Sequence, residues 1–188
     1  MLIIAGCALL LAAAAHYGTG VYEQALVPTD LPPGPAAPGA PIARIEIPKI
    51  GLEAAVFEGI SDATLTKGPG HMPGTEMPGE SSGYNNCVIA GHRDSFFRKL
   101  GWIRPGDSLR ITTGSRQREY RFVRRAVVRP ESTEAVGPTG TPRLTLITCY
   151  PFNWVGPAPY RLVLEARPFP VPQSGESASL AAAASRAR

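Results

Sequence analysis

Cysteine and histidine are scarce in this chain, with three of each in 188 residues. None of them forms the close-spaced ligand pairs of a structural zinc site, so the fold is not built around zinc. A metal shared by His71, His92 and Cys149 would have to be assembled from distant parts of the chain. With so few thiols, the one disulfide that comes to mind joins Cys87 to Cys149, and spacing alone leaves it open. No uncharged apolar run reaches the ~20 residues that cross hydrocarbon. The longest, Leu2 to Ala15, has fourteen. There is no internal repeat, which excludes solenoids and propellers, and no nucleic-acid-binding motif.

What the chain does have is glycine and proline, 20 of each. A length of 188 residues suits one domain with tails. Residues 1–22 read as a membrane signal anchor, because extending the apolar run to Val21 and Tyr22 brings it near spanning length with tyrosines at the interface. It lacks a Lys/Arg-rich leader, so the natural start is expected upstream of Met1. A signal peptide cleaved at Ala13–Ala15 is the alternative. Residues 23–40 read as a semi-stiff linker, since six prolines fall between Pro28 and Pro41. Residues 168–188 hold too few large apolar groups to join a core and read as disordered.

The net charge of +4 is mild, but ten of the 19 basic residues lie between Arg98 and Arg129, opposed only by Asp107 and Glu119. An anionic membrane surface and a solvated strand face both account for such a run.

Between these tails the apolar residues alternate over short stretches. Strands are expected at Ile42–Ile47, Glu53–Phe57, Cys87–Gly91, Ser108–Thr112, Gln117–Val128, Arg143–Cys149 and Tyr160–Glu165. Ser61 or Asp62 is expected to cap a short helix through Lys67, and Ser95–Leu100 suits another helical turn. Gly68–Gly83, with five glycines and three prolines, reads as a loop. Seven or eight strands with little helix imply a closed β-barrel.

Three of the strands carry chemistry at their ends. Val88-Ile-Ala-Gly-His92 ends on a histidine. Arg143-Leu-Thr-Leu-Ile-Thr-Cys149 ends on a thiol, stopped by Pro151, which has no N–H for a ladder. Tyr160-Arg161 opens the third. Ala90-Gly-His-Arg-Asp94, Leu144-Thr-Leu-Ile-Thr-Cys149-Tyr-Pro-Phe152 and Val155-Gly-Pro-Ala-Pro-Tyr-Arg161 together resemble the sortases. The Cys-Tyr-Pro-Phe loop and the Gly-x-Ala-Pro-x-Arg run are most similar to class D. The resemblance covers roughly Pro41 to Arg167, so residues 41–167 are expected to be the catalytic barrel, eight-stranded, with its site in a groove.

The resemblance implies a cysteine transpeptidase with Cys149 as nucleophile, His92 as acid and base, and Arg161 as oxyanion donor. It implies an extended sorting signal of the Leu-Pro-x-Thr-Gly kind, passed as an acyl group to an amine of a cell-wall precursor or a protein. It also implies bacterial origin and an extracytoplasmic domain at the cell membrane; no cofactor, no metal in the site and no nucleic-acid partner are expected, with a calcium requirement left open. His71, Thr148 and Tyr150 are expected to line the groove, with His71 the rival to His92. If the histidine and cysteine strands run parallel, as the family implies, Cys87 and Cys149 lie ~17 Å apart, beyond disulfide reach.

Each residue also has a plainer reading. A lone cysteine is usually a small buried hydrophobe. His92 suits a satisfied core position, and Asp94 suits a cap for the Ser95 turn better than a partner for His92. Arg161 suits a surface pair with Glu165, four residues on and on the same strand face. For the whole chain, the alternative to an enzyme is an anchored β-barrel that binds extended peptides without chemistry.

Overall fold

The computed structural model describes residues 22–28, 31, 34, 36–80 and 85–169. The anchor read over residues 1–22 and the disordered tail read over 168–188 lie almost wholly outside the described residues. Among the described residues, no helix is long and apolar enough to cross a membrane.

Eight strands form: β1 Pro41–Ile47, β2 Leu52–Glu58, β3 Gly70–His71, β4 Asn86–Gly91, β5 Ser108–Thr113, β6 Arg116–Val128, β7 Arg143–Tyr150 and β8 Tyr160–Pro168. They close into a barrel in the order β1-β2-β3-β4-β7-β8-β6-β5, with β5 returning to β1. Closure removes the exposed edges that an open sheet would leave. The one α-helix with both ends described, α1 (Asp62–Lys67), starts where Ser61 accepts a hydrogen bond from the Thr64 N–H at 3.2 Å. Asp62 is therefore the first helical residue and Ser61 is the cap.

Two departures from the expected elements concern short pieces. Gly68–Gly83, expected as loop, contains β3, which makes only the rungs Gly70↔Ala90 and His71↔Ile89 with β4. Two residues carry no readable period. Ser95–Leu100, expected as a helical turn, is a succession of turns that tightens into a 3-10 turn at Leu100–Trp102.

The barrel is filled from alternate positions of its strands. Ile45, Ile47, Ile89, Ile111, Leu144, Leu146 and Leu164 are all essentially inaccessible. Each such side chain contributes about 1.5–3 kcal/mol by leaving water. On β7 the inward set is Leu144, Leu146 and Thr148, facing Ala166, Leu164 and Leu162 of β8 in register. The two-residue period puts Thr145, Ile147 and Cys149 on the outer face.

The segment expected as an extended linker is partly docked instead. Residues 22–26 are helical, and Val27 and Leu31 are buried against Ala55 and Phe57 of β2. The cause is a gap in the ladder. β3 reaches β2 only at Phe57 and Glu58, so the N–H and C=O of Ala55 face no strand. The Gln24 side-chain amide takes both, and its Nε2 also donates to the Lys67 carbonyl at 2.9 Å. Gly68 permits this approach, since a Cβ there would stand 2.3 Å from Gln24 Nε2 and 2.8 Å from the Ala55 carbonyl oxygen.

Gln24→Ala would strand those backbone groups next to an apolar patch. The expected loss is about 1–3 kcal/mol of unfolding free energy, measurable by urea denaturation. A chain cut to begin at Pro41 is expected to lose at least as much, because Phe57 and Ala55 are then bared; an unchanged midpoint for both would show the segment to be a free tether.

Candidate active site at the ends of three strands

The geometry of the site follows from two ladders. β4 and β7 run parallel, from Asn86↔Arg143 to Gly91↔Thr148. The next residue on each strand is His92 and Cys149, so the imidazole and the thiol leave neighbouring strands, ~4.8 Å apart, at one level. β7 and β8 run antiparallel, and Cys149 is directly opposite Arg161. Cys149, His92 and Arg161, from three separate parts of the chain, thus gather at one end of the barrel.

Local packing supports each position. A Cβ at Gly91 would stand 2.6 Å from the Phe97 ring, so only glycine lets that ring seal the core just before His92. The His92 carbonyl accepts from the Phe97 N–H at 3.1 Å, which turns the chain after the strand. β7 stops at Tyr150, and the Tyr150–Pro151 peptide is cis. Cys149 is half-buried and free.

His92 is partly exposed, and its Nε2 lies 3.5 Å from Asp62 Oδ1 at the start of α1. Sequence reasoning found no third member for the group. Asp62 is 30 residues away in the chain, and no local signal ties it to His92. Its side chain is 90% exposed, so water screens the contact strongly. Arg93 also escaped notice. Its Nη2 donates to the Gly156 carbonyl at 2.8 Å and holds the 151–159 loop against the end of β4.

Arg161 donates from Nη1 to the carbonyls of Ala158 and Tyr160, at 3.2 and 3.0 Å. It does not pair with Glu165. That carboxylate is buried and held by Arg124, at 2.6 Å, and Arg143, at 3.1 Å. Two guanidiniums from β6 and β7 had already claimed it, which strand spacing along β8 does not reveal. Between this ion group and the Cys149↔Arg161 rung lies the apolar rung Ile147↔Val163.

The three residues expected to line the groove are placed elsewhere. His71 is 1% exposed. Its Nδ1 is 2.7 Å from Glu58 Oε2, and its Nε2 is 3.0 Å from both the Glu76 carbonyl and Thr75 Oγ1. It shares its rung with Ile89, a core residue, and so ties β2, β3 and the following loop together. Thr148 is 2% exposed and donates to the Gly91 carbonyl at 2.7 Å. Tyr150 packs on the core and, edge-on, against Phe152 at 5.8 Å between ring centroids. Thr148 and Tyr150 are even-numbered on β7, so the pleat turns both away from the face of Cys149. A metal shared by His71 and Cys149 is ruled out by the same opposition of faces.

Cys87 and Cys149 are both free, and the parallel ladder puts Cys87 opposite Leu144, five residues before Cys149. Burial, and then the nearby Glu76 and Glu58 carboxylates, push the Cys87 thiol far above its ordinary range. It is inert packing.

The Sortase domain family matches residues 45–169. The chain belongs to the sortase family. It is 36% identical over 121 residues to Sortase D of Bacillus subtilis, a match covering 64% of this chain and 60% of that one. The match to Sortase A of Streptococcus agalactiae is 28% over 117 residues and covers 57% of this chain and 46% of that one. The chain thus spans less than two thirds of the length of these curated relatives. Among solved structures, a Clostridium perfringens Sortase D5 transpeptidase overlays with a TM-score of 0.65 at 28% identity, covering 72% of this chain and 83% of that one. Sortase A from Corynebacterium diphtheriae overlays at 0.67 and 29%, covering 74% and 65%. The eight-stranded closed barrel is the sortase fold.

Two outcomes test this assignment of thiols and histidines. Iodoacetamide on the folded protein should label Cys149 and spare Cys87, read by peptide mass mapping; prior labelling of Cys87 would invert the two roles. His71→Ala leaves Glu58 without its hydrogen-bond partner in the barrel wall, and is expected to cost about 1–3 kcal/mol of stability, seen in thermal unfolding.

Proposed function

We propose that this protein is a sortase-type cysteine transpeptidase of class D. The observation that carries the reading is the rung Cys149↔Arg161 with His92 one step beyond Gly91↔Thr148. The reading takes these three as a nucleophile, a proton carrier and a fixed cation acting on one peptide bond. The order of the chain, histidine before cysteine before arginine, and the similarity to Sortase D support it.

The substrate is an extended sorting signal of the Leu-Pro-x-Thr-Gly kind, laid along the outer face of β7 and β8. The Cys149 thiolate attacks the threonine carbonyl carbon, and the carbonyl oxygen takes the negative charge. Arg161 spends Nη1 on its own loop, which leaves Nε and Nη2 for that oxygen. The tetrahedral adduct collapses, the C–N bond breaks, and His92 gives its proton to the departing glycine amine. A thioester on Cys149 remains. An acceptor amine from a cell-wall precursor or another protein attacks it, His92 takes the proton, and the thiolate leaves with an amide bond made. Ile147, partly accessible and two residues before Cys149 on the same strand face, gives the acyl chain an apolar contact.

In this reading the domain works outside the cytoplasm of a bacterium, held at the membrane by the segment before residue 23, and attaches surface proteins or pilus subunits. The alternative is a barrel that binds the same peptides without chemistry. Incubating the protein with a sorting-signal peptide library and an amine, then mass-analysing the products, separates them. Cys149→Ala is expected to abolish thioester and product while the barrel stays folded, and His92→Ala to stop turnover with peptide binding retained. Binding with no acyl product in the unaltered protein would leave the non-catalytic module.

Arg161→Lys keeps the charge and loses the planar fork. A fall in kcat of roughly 10²–10³ is expected, with little change in KM. Since Glu165 is already paired elsewhere, the melting temperature should hold. A normal kcat would remove Arg161 from the chemistry.

A further inference from the structure

The basic run between Arg98 and Arg129 takes no part in the site, and the fold sorts it into two kinds of residue. Arg110 is paired with Glu46, Arg121 with Glu119, and Arg124 with Glu165. Arg98, Lys99, Arg104, Arg116, Arg118, Arg125 and Arg129 have no ion-pair partner among the described residues. Asp107, three residues from Arg104, uses its carboxylate to accept from the Arg104 backbone N–H at 2.8 Å.

Of the cations without ion-pair partners, Lys99 and Arg125 meet the segment that carries Trp102, and Arg98 and Arg104 lie within four residues of it in the chain. Lys99 Nζ lies 5.8 Å from the Trp102 ring, and Arg125 Nη1 donates to the Gly101 carbonyl at 2.9 Å. Trp102 is 66% exposed and Val127 50%. With Arg125, Tyr150 and Phe152 they line an open cavity of about 520 Å³ at the mouth of the barrel. An exposed tryptophan beside an apolar hollow, flanked by cations without ion-pair partners, has the composition of a surface that rests in a headgroup layer. The indole sits at the level between water and hydrocarbon, and each cation gains from the negative potential of an anionic leaflet.

We propose that this face, centred on Trp102, is a docking surface for an anionic phospholipid bilayer, separate from any contact made by the N-terminal segment. Charge complementarity selects the occupant, and the tryptophan with its apolar hollow distinguishes a bilayer from a soluble polyanion. Tyr150 and Leu162 line the same cavity and directly follow Cys149 and Arg161 in their strands. Docking here therefore holds the ends of β7 and β8 close to the bilayer surface. The inference does not depend on the chemistry assigned to those residues.

The test is flotation of the full chain with vesicles of phosphatidylcholine alone and of phosphatidylcholine mixed with phosphatidylglycerol. Binding by the apolar N-terminal run would not depend on lipid charge, so the increment due to phosphatidylglycerol isolates this face. That increment is expected to fall with added salt. In the Arg98→Gln, Lys99→Gln, Arg104→Gln triple variant it should fall by roughly five-fold for each cation removed, with the melting temperature unchanged. Arg116 and Arg118 lie at the other end of β6, and Arg116→Gln with Arg118→Gln should leave the increment nearly intact. In a Trp154→Phe background, Trp102 emission should shift to the blue on the charged vesicles.

An equal loss from both ends of β6 would mean diffuse charge without a seat, and would overturn the proposal. So would a Trp102 shift produced as well by duplex DNA or a soluble polyphosphate. Trp102→Ala offers a second reading that leaves the charges in place: it should weaken vesicle binding and not polyanion binding.

Discussion

The parallel pairing of β4 with β7 is the constraint on which the rest depends. Antiparallel neighbours can be joined by a tight turn, but a parallel pair needs a long crossover. Here the crossover carries β5, β6 and the 129–142 loop, and it is what closes the barrel. The pairing also brings the C-terminal ends of both strands to the same end of the sheet. That is why a histidine and a cysteine 57 residues apart emerge side by side. An antiparallel arrangement would have put Gly91 near the start of β7 and His92 far from the thiol.

The ladder is secured at its other end by buried polar contacts. Asn86, fully buried, donates to the carbonyls of Ala135 and Gly137 and accepts from Thr145 Oγ1 at 2.7 Å. The crossover is thereby pinned where it enters β7. The Arg124–Glu165–Arg143 group does the same across β6, β8 and β7. Such groups stabilise less than apolar packing would, but each admits one register. A slip of one residue would turn Cys149 inward and Thr148 outward. The register is thus what the polar groups protect, and the register is what aligns thiol and guanidinium.

Much of the fold could be read along the chain because strands of a closed barrel alternate between core and water, and that alternation is written in the side chains. β1, β2 and β4 to β8 were legible for this reason, within a residue or two except at the C-terminal end of β8. β3 was not, since two residues hold no period. The docked segment around Gln24 was not, because its proline content reads as a tether and its partner, the unpaired backbone of Ala55, exists only once β2 and β3 have met.

For the site, residue types at strand ends made Cys149, His92 and Arg161 candidates, while their roles, and the parallel strands that keep Cys87 from Cys149, came from the resemblance to the sortases. What the chain alone determined is the alternation, the punctuation by proline and glycine, and which reactive groups stand where strands stop. Tertiary structure decided the partners. It gave Glu165 to Arg124 and Arg143 instead of Arg161, set Asp62 beside His92, sealed His71 in the wall, and turned Thr148 and Tyr150 away from the thiol. The physical reason is that alternation specifies a face but not a neighbour. Neighbours across a barrel are set by register and closure, which join residues that share no pattern along the sequence.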